Sequence, residues 1–289
     1  MIFLRLRSDS FLWFLVSLGL AVAFVQFEDD KEYEFYFKSK FVLAPEELEG
    51  GQNVTATILV KKFGRDSLIF RIKDSTFVGA NVHAKSRSDI EGTFGVKRNV
   101  ENGAITHVIS KSTRDMEILC KKMIVDMLSE NLSFFESYAR NYVAMKGRWQ
   151  HRVKLAVGWC DADVTAAADT ENNLVEVLAQ SQKTDCDIDP VILQAGQLLM
   201  HGTTAQIGRT LDSSKFGMSV FFDVNTGKIV EVSKFTFINL EVVGVDIQAR
   251  HNMLVEYVGE RPISRELNFQ PPYISYSKEH IDEYVLTHK

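Results

Sequence analysis

From Lys31 to Leu43 the chain reads KEYEFYFKSKFVL, with Tyr33, Phe35, Phe37, Ser39 and Phe41 on one side of a two-residue period and Glu34, Tyr36, Lys38 and Lys40 on the other. Successive side chains of an extended strand point to opposite faces, so this segment is expected to be a strand with one buried face. The same period returns in NVTATILVKK through Val54, Ala56, Ile58 and Val60, and DSLIFRI follows the turn residues Gly64, Arg65 and Asp66. GTFGVKR and AITHVIS are joined by a loop containing Asn102 and Gly103, residues that favour tight hairpins because both tolerate positive φ. Strand character resumes in WQHRVKLAVGWC, ADVTAAA, LVEVLAQS, KFGMSVFFDV, GKIVEVSKFTFINLEVVGV and NMLVEYVG, with turn residues at 169–173 and 225–227. A chain of this pattern is constrained to antiparallel sheet, and the apolar faces of its strands must be covered.

One segment breaks the period. In STRDMEILCKKMIVDMLSE the apolar residues Met116, Leu119, Cys120, Met123, Ile124, Met127 and Leu128 recur at steps of three and four, which draws one broad stripe along a helix. Ser112 or Thr113 can cap its first turn, and Asp115 suits the positive end of the helix dipole. The polar side lacks the dense basic array of a lipid-surface helix, so the stripe is expected to lie in the core, inside the sheet. SFFESYARNYVAMKGR can continue helically or not. The fold class is therefore mainly β with a central helix.

The N-terminus sets the compartment. MIFLRLRSDSFLWFLVSLGLAVAF has Arg5 and Arg7 ahead of an apolar run and ends in the small-x-small pattern Ala21-Val22-Ala23, the anatomy of a cleaved secretory signal peptide over residues 1–23. A retained anchor is the competing reading, since the apolar run reaches about 17 residues, the lower limit for a bilayer span. Residues 24–260 are expected to form the folded domain, with 261–289 as a weakly periodic tail. After signal cleavage no transmembrane span is expected. Three cysteines in an oxidising compartment allow one disulfide. Cys160 and Cys186 flank a hairpin-like segment whereas Cys120 lies on the helix stripe, so the pair Cys160–Cys186 is expected as a staple. Asn53 (NVT) and Asn131 (NLS) are glycosylation sequons.

The net charge of −5 without a basic block argues against a nucleic-acid partner. The sequence holds no phosphate-cradling glycine loop, nucleophile elbow or dinucleotide fingerprint, and its seven histidines are scattered without ligand spacing. A non-enzymatic protein without a cofactor is expected. Joining Cys160 to Cys186 would draw Asp161 and Asp163 toward Asp185 and Asp187, a weak calcium possibility set against a solvated acidic patch. Lys61, Lys62 and Arg65, and Lys121 with Lys122, are small basic clusters that serve either solubility or docking onto an acidic receptor module.

The order of these features resembles one family. YEFYFKSKFVL, FRIKDSTF, GTFGVKRNVENGAITHVISKS, the helix RDMEILCKKMIVDML, VGWCDADVTAA with the later TDC, and FGMSVFFDVNTGKIVEVSKFTFI follow the order of the N-terminal β-barrel of large lipid transfer proteins. That family includes the vitellogenins, the microsomal triglyceride transfer protein, apolipoprotein B and the apolipophorins. The resemblance covers roughly residues 30 to 245. It implies an antiparallel β-barrel wrapped around one amphipathic helix, of the lipovitellin N-sheet type, with a disulfide mapping onto Cys160 and Cys186. It also implies lipid transport through contacts with a lipoprotein or a lipoprotein receptor. Relatives continue into a helical horseshoe and lipid-cradling sheets, without counterpart in these 289 residues, so docking is expected ahead of lipid carriage. A small lipid-binding barrel and an extracellular recognition protein without a lipid role are the alternatives.

Overall fold

The alternating segment at Lys31 is strand β1 (Lys31–Ala44) in a computed structural model, which describes residues 27–28, 30–44, 52–62, 67–79, 90–98, 105–110, 115–128, 132–141, 147–155, 158–188, 209–210, 212–242, 245–262 and 273–277. Tyr33, Phe35 and Phe37 are buried while Tyr36, Lys38 and Lys40 are exposed, so the period alone oriented the strand. β2 (Gln52–Lys62), β3 (Ser67–Gly79), β4 (Gly92–Arg98) and β5 (Ile105–Ser110) follow. After two helices come β6 (Trp149–Leu155), β7 (Gly158–Asp169), β8 (Leu174–Gln182) and the short β9 (Cys186–Ile188). β10 (Arg209–Thr210), β11 (Lys215–Asp223), β12 (Ile229–Val242), β13 (Val245–Pro262) and β14 (Tyr273–Ser277) complete the described strands. β14 lies within the segment read as a tail.

All these strands belong to one sheet in the order β14-β5-β4-β3-β2-β1-β13-β12-β11-β8-β7-β6, with β10 beside β12 and β9 beside β7. Most neighbours are sequential. At β8–β11 the path skips β9 and β10, and at β1–β13 and β5–β14 it pairs strands far apart in sequence. The β11–β12 hairpin turns as its residues require: the Asp223 carboxylate accepts from the backbone N–H groups of Asn225 and Thr226, and Gly227 takes φ 68°. This is side-chain-to-backbone turn chemistry, with glycine where a Cβ would be strained.

Two helices fill the concave face. In α1 (Asp115–Leu128) Ile124, Val125, Met127 and Leu128 are fully buried and Met123 packs against them. The side chains of Met116, Leu119 and Cys120 lie outside the described residues. In α2 (Leu132–Arg140) Leu132, Phe135 and Tyr138 are buried in the same apolar cluster, which gathers residues from strands on both sides of β1. Burying one such side chain contributes roughly 1.5–3 kcal/mol, so the helices and the inner face stabilise each other.

Two expectations need correction. The interior holds two helices, not one. The sheet also does not close: among the described residues its path runs from β14 to β6 and these ends do not pair. It curls enough for β6 to approach β11. α2 covers the inner side of β8, β11 and β6, where His151 packs edge-on against Phe134 and Tyr138. That apolar surface is thereby buried without barrel closure. Among the described residues no helix is long and apolar enough to cross a membrane, and the segment 1–23 lies outside them.

A stapled sheet margin as candidate docking site

Cys160 on β7 faces Cys186 on β9 in direct cross-strand register, and their sulfurs are bonded at 2.02 Å. The sequence brings them together through β8 and a 3-10 turn (Lys183–Asp185), which returns the chain to β7 after the β7–β8 hairpin. Cys160 points inward and is fully buried. Its neighbours Trp159 and Asp161 therefore point outward, by the two-residue period.

The outward surface here is a cross-strand ladder. Arg152 on β6 lies opposite Asp161 and bonds it at 3.3 Å, and its other amino group bonds Asp187 on β9. Arg148 bonds Asp163, and that guanidinium holds the Asp163 carboxyl below the usual carboxylate range. Trp159 stands between Lys154 of β6 and Asp187 of β9 with about half of its surface, 49%, open to solvent. An indole held by a disulfide-stapled strand and bordered by guanidinium–carboxylate pairs offers what protein interfaces use most: tryptophan and arginine supply a disproportionate share of binding energy. The exposed pairs themselves add little stability and can exchange partners at small cost.

The structure places each of the four carboxylates weighed for calcium. Asp161 and Asp187 do converge, but on Arg152, and Asp163 is taken by Arg148. Asp185 accepts from its neighbour Thr184. Among the described residues no three ligand side chains gather as a metal site would need.

The basic clusters are placed differently from expectation too. Lys121 and Lys122 are buried, at 3% and 5% exposure, so they do not present a docking surface. The Lys121 ammonium lies 5.8 Å from the Phe94 ring centre. The aliphatic stems of both lysines pack along the apolar surface beside the α1 stripe. Lys61 and Lys62 are half-buried on β2, and Arg65 lies outside the described residues. Asn53 is half-buried on β2, paired with β1 and β3; Asn131 lies outside the described residues. Sequence reasoning missed Trp159, Arg152 and Arg148. The signal is the alternation Trp159, Asp161, Asp163 beside Cys160, which puts the indole and the carboxylates on one outward face.

No family model matches the chain, and no curated protein matches it in sequence. Among solved structures the fold is similar to that of lipovitellin, in a structure described by its lipid–protein interactions, with a TM-score of 0.60 over 87% of this chain and 10% identity. The chain spans 27% of the length of that lipovitellin chain. At such identity the likeness is one of fold. The chain thus carries a lipovitellin-like, mainly antiparallel β-fold.

Proposed function

We propose that this chain is a secreted, non-enzymatic docking module of the lipid-transfer type, working through contacts with a lipoprotein or a lipoprotein receptor. The observation that carries the reading is a lipovitellin-like fold whose concave face is packed with its own helices. An interior filled by Ile124, Met127, Leu128 and Phe135 leaves binding to the outside, where Trp159 and Arg152 are offered. The apolar N-terminus at 1–23 and the Cys160–Cys186 bond support passage through an oxidising secretory route, in which Asn53 and Asn131 are the glycosylation positions.

Flotation tests the reading. Purified chain is mixed with lipoprotein particles or with a protein-free phospholipid–triglyceride emulsion, and each is floated. Co-flotation with lipoprotein but not with emulsion is expected, and Trp159→Ala should lower the bound fraction several-fold. Organic extraction of the purified protein should yield far less than one lipid per chain. Stoichiometric lipid would instead favour the small-carrier reading, and equal flotation with emulsion would remove docking.

A further inference from the structure

β7 has different neighbours along the two parts of one edge. β8 lies beside it from Asp163 to Asp169, and the three residues of β9 lie beside Gly158, Trp159 and Cys160. β6 covers the opposite edge from Gly158 to Val164. Trp159 therefore stands between Lys154 and Asp187, and β9 forms one of its two walls.

What holds that wall is mostly covalent. Ordering three residues costs about as much as the hydrogen bonds of so short a ladder return. Beyond the ladder, the Arg152–Asp187 pair ties β9 to β6, and Asp187 is exposed, so the pair adds little. The Cys160–Cys186 bond supplies the rest. The chain just before β9 is fastened separately. The Ser181 hydroxyl donates to the Asp161 carbonyl at 2.8 Å, and the Lys183 backbone N–H donates to the Ser214 carbonyl at 3.0 Å. The Lys183 ammonium pairs with Asp212 at 3.2 Å. None of these contacts passes through β9, so loosening that starts at the bond frees β9 and stops at the 3-10 turn.

Access sets the direction of attack. Cys160 is fully buried on the inner face whereas Cys186 is half-buried, so a thiol reaches the bond from the Cys186 side. The thiolate of a dithiol attacks the Cys186 sulfur, the bond to Cys160 breaks, and its electron pair leaves on Cys160, which takes up a proton. The second thiol of the reductant then gives up its proton and displaces Cys186, which takes that proton. The dithiol is oxidised to its own disulfide, and both cysteines are reduced to thiols.

We propose that the Cys160–Cys186 bond is a redox latch: a dithiol reductant opens it from Cys186 and releases β9 from β7, so that Trp159 loses one wall while the sheet stays folded. The consequence for binding, a reduced chain that docks less well, rests on the docking reading above.

The probe is dithiothreitol acting on the full chain, read by hydrogen exchange and mass spectrometry. Peptides covering 158–160 and 186–188 should exchange at least about tenfold faster after reduction, while those of β11, β12 and β13 keep their rates. Alkylation during a brief reduction should mark Cys186 before Cys160. Cys160→Ala combined with Cys186→Ala should show the fast exchange without reductant, and dithiothreitol should then change nothing. Asp187→Asn in the oxidised chain should leave exchange slow. Unchanged exchange at 158–160 after full reduction, loss of protection through the whole sheet, or release of β9 by Asp187→Asn alone overturns the proposal. Flotation separates the latch from the docking reading. The reduced chain should float with lipoprotein several-fold less than the oxidised one, and equal flotation beside fast exchange would remove redox control of docking. An oxidised chain that does not float removes the docking module and leaves the exchange result standing.

Discussion

His251 sits on β13 facing the interior, with its Nε2 2.8 Å from the Ser39 hydroxyl of β1. Burial pushes its pKa down to about 4, so the ring stays neutral in the fold while the unfolded chain takes up a proton near pH 6.5. The folded state therefore binds fewer protons between those values. Stability from this site is full above about pH 6.5 and is lost as pH falls toward 4, on the order of 3 kcal/mol. Thermal melts from pH 7.5 to 4.5 should show that loss, and His251→Gln should melt with a shallower pH dependence. A variant with the unchanged slope would remove His251 from the account. Gly217 makes a second prediction at this scale. Gly217→Ala should cost about 1–3 kcal/mol, because the added carbon overlaps the Phe235 ring. Combining it with Phe235→Ala should recover part of that loss, a non-additivity measurable by denaturant titration.

At the scale of elements, the staple and the buried helix carry the clearest energetics. The Cys160–Cys186 bond links residues 26 apart, for which chain-entropy arithmetic gives about 3.5 kcal/mol. Replacing both by alanine, or melting in reductant, should lower the melting temperature, with the loss matched in the two experiments. In α1, Met127→Ala should cost about 2–5 kcal/mol, since Met127 is fully buried among strand side chains. Both elements were legible beforehand. The staple could be read because its cysteines flank a hairpin, and the α1 stripe because a three-and-four period stands out among twos. Burial of Lys121 and Lys122 was not legible, as a helical wheel shows which side is apolar but not how much of the flanks tertiary packing encloses. α2 was ambiguous for a related reason. Phe134, Phe135 and Tyr138 fit a helix face or an irregular apolar run equally, and contact with His151 of β6 is a tertiary event.

For the whole molecule, the strands and most hairpin partners followed from local alternation and turn residues, whereas the open ends at β14 and β6 did not. Closure depends on how two helices share the concave face, which no strand's own pattern encodes. The Trp159 margin was half legible: its acids lie close together in the sequence, but Arg152 on β6 and Arg148 just before it are brought to them by strand pairing. The longest-range pairing also went unread. Residues 31–44 lie against residues 248–262 in the middle of the sheet, so β1 has one neighbour, β2, until about 200 further residues have been made. At ~5–20 residues per second, the roughly 200 residues between them take about 10–40 s to emerge from a ribosome. Through that interval the Phe35–Phe37 row stands beside an unfilled strand position, and a nascent chain is at its most vulnerable to sticking to its neighbours. Synthesis of this protein should accordingly lean on chaperones that hold β1 and β2 until β13 arrives.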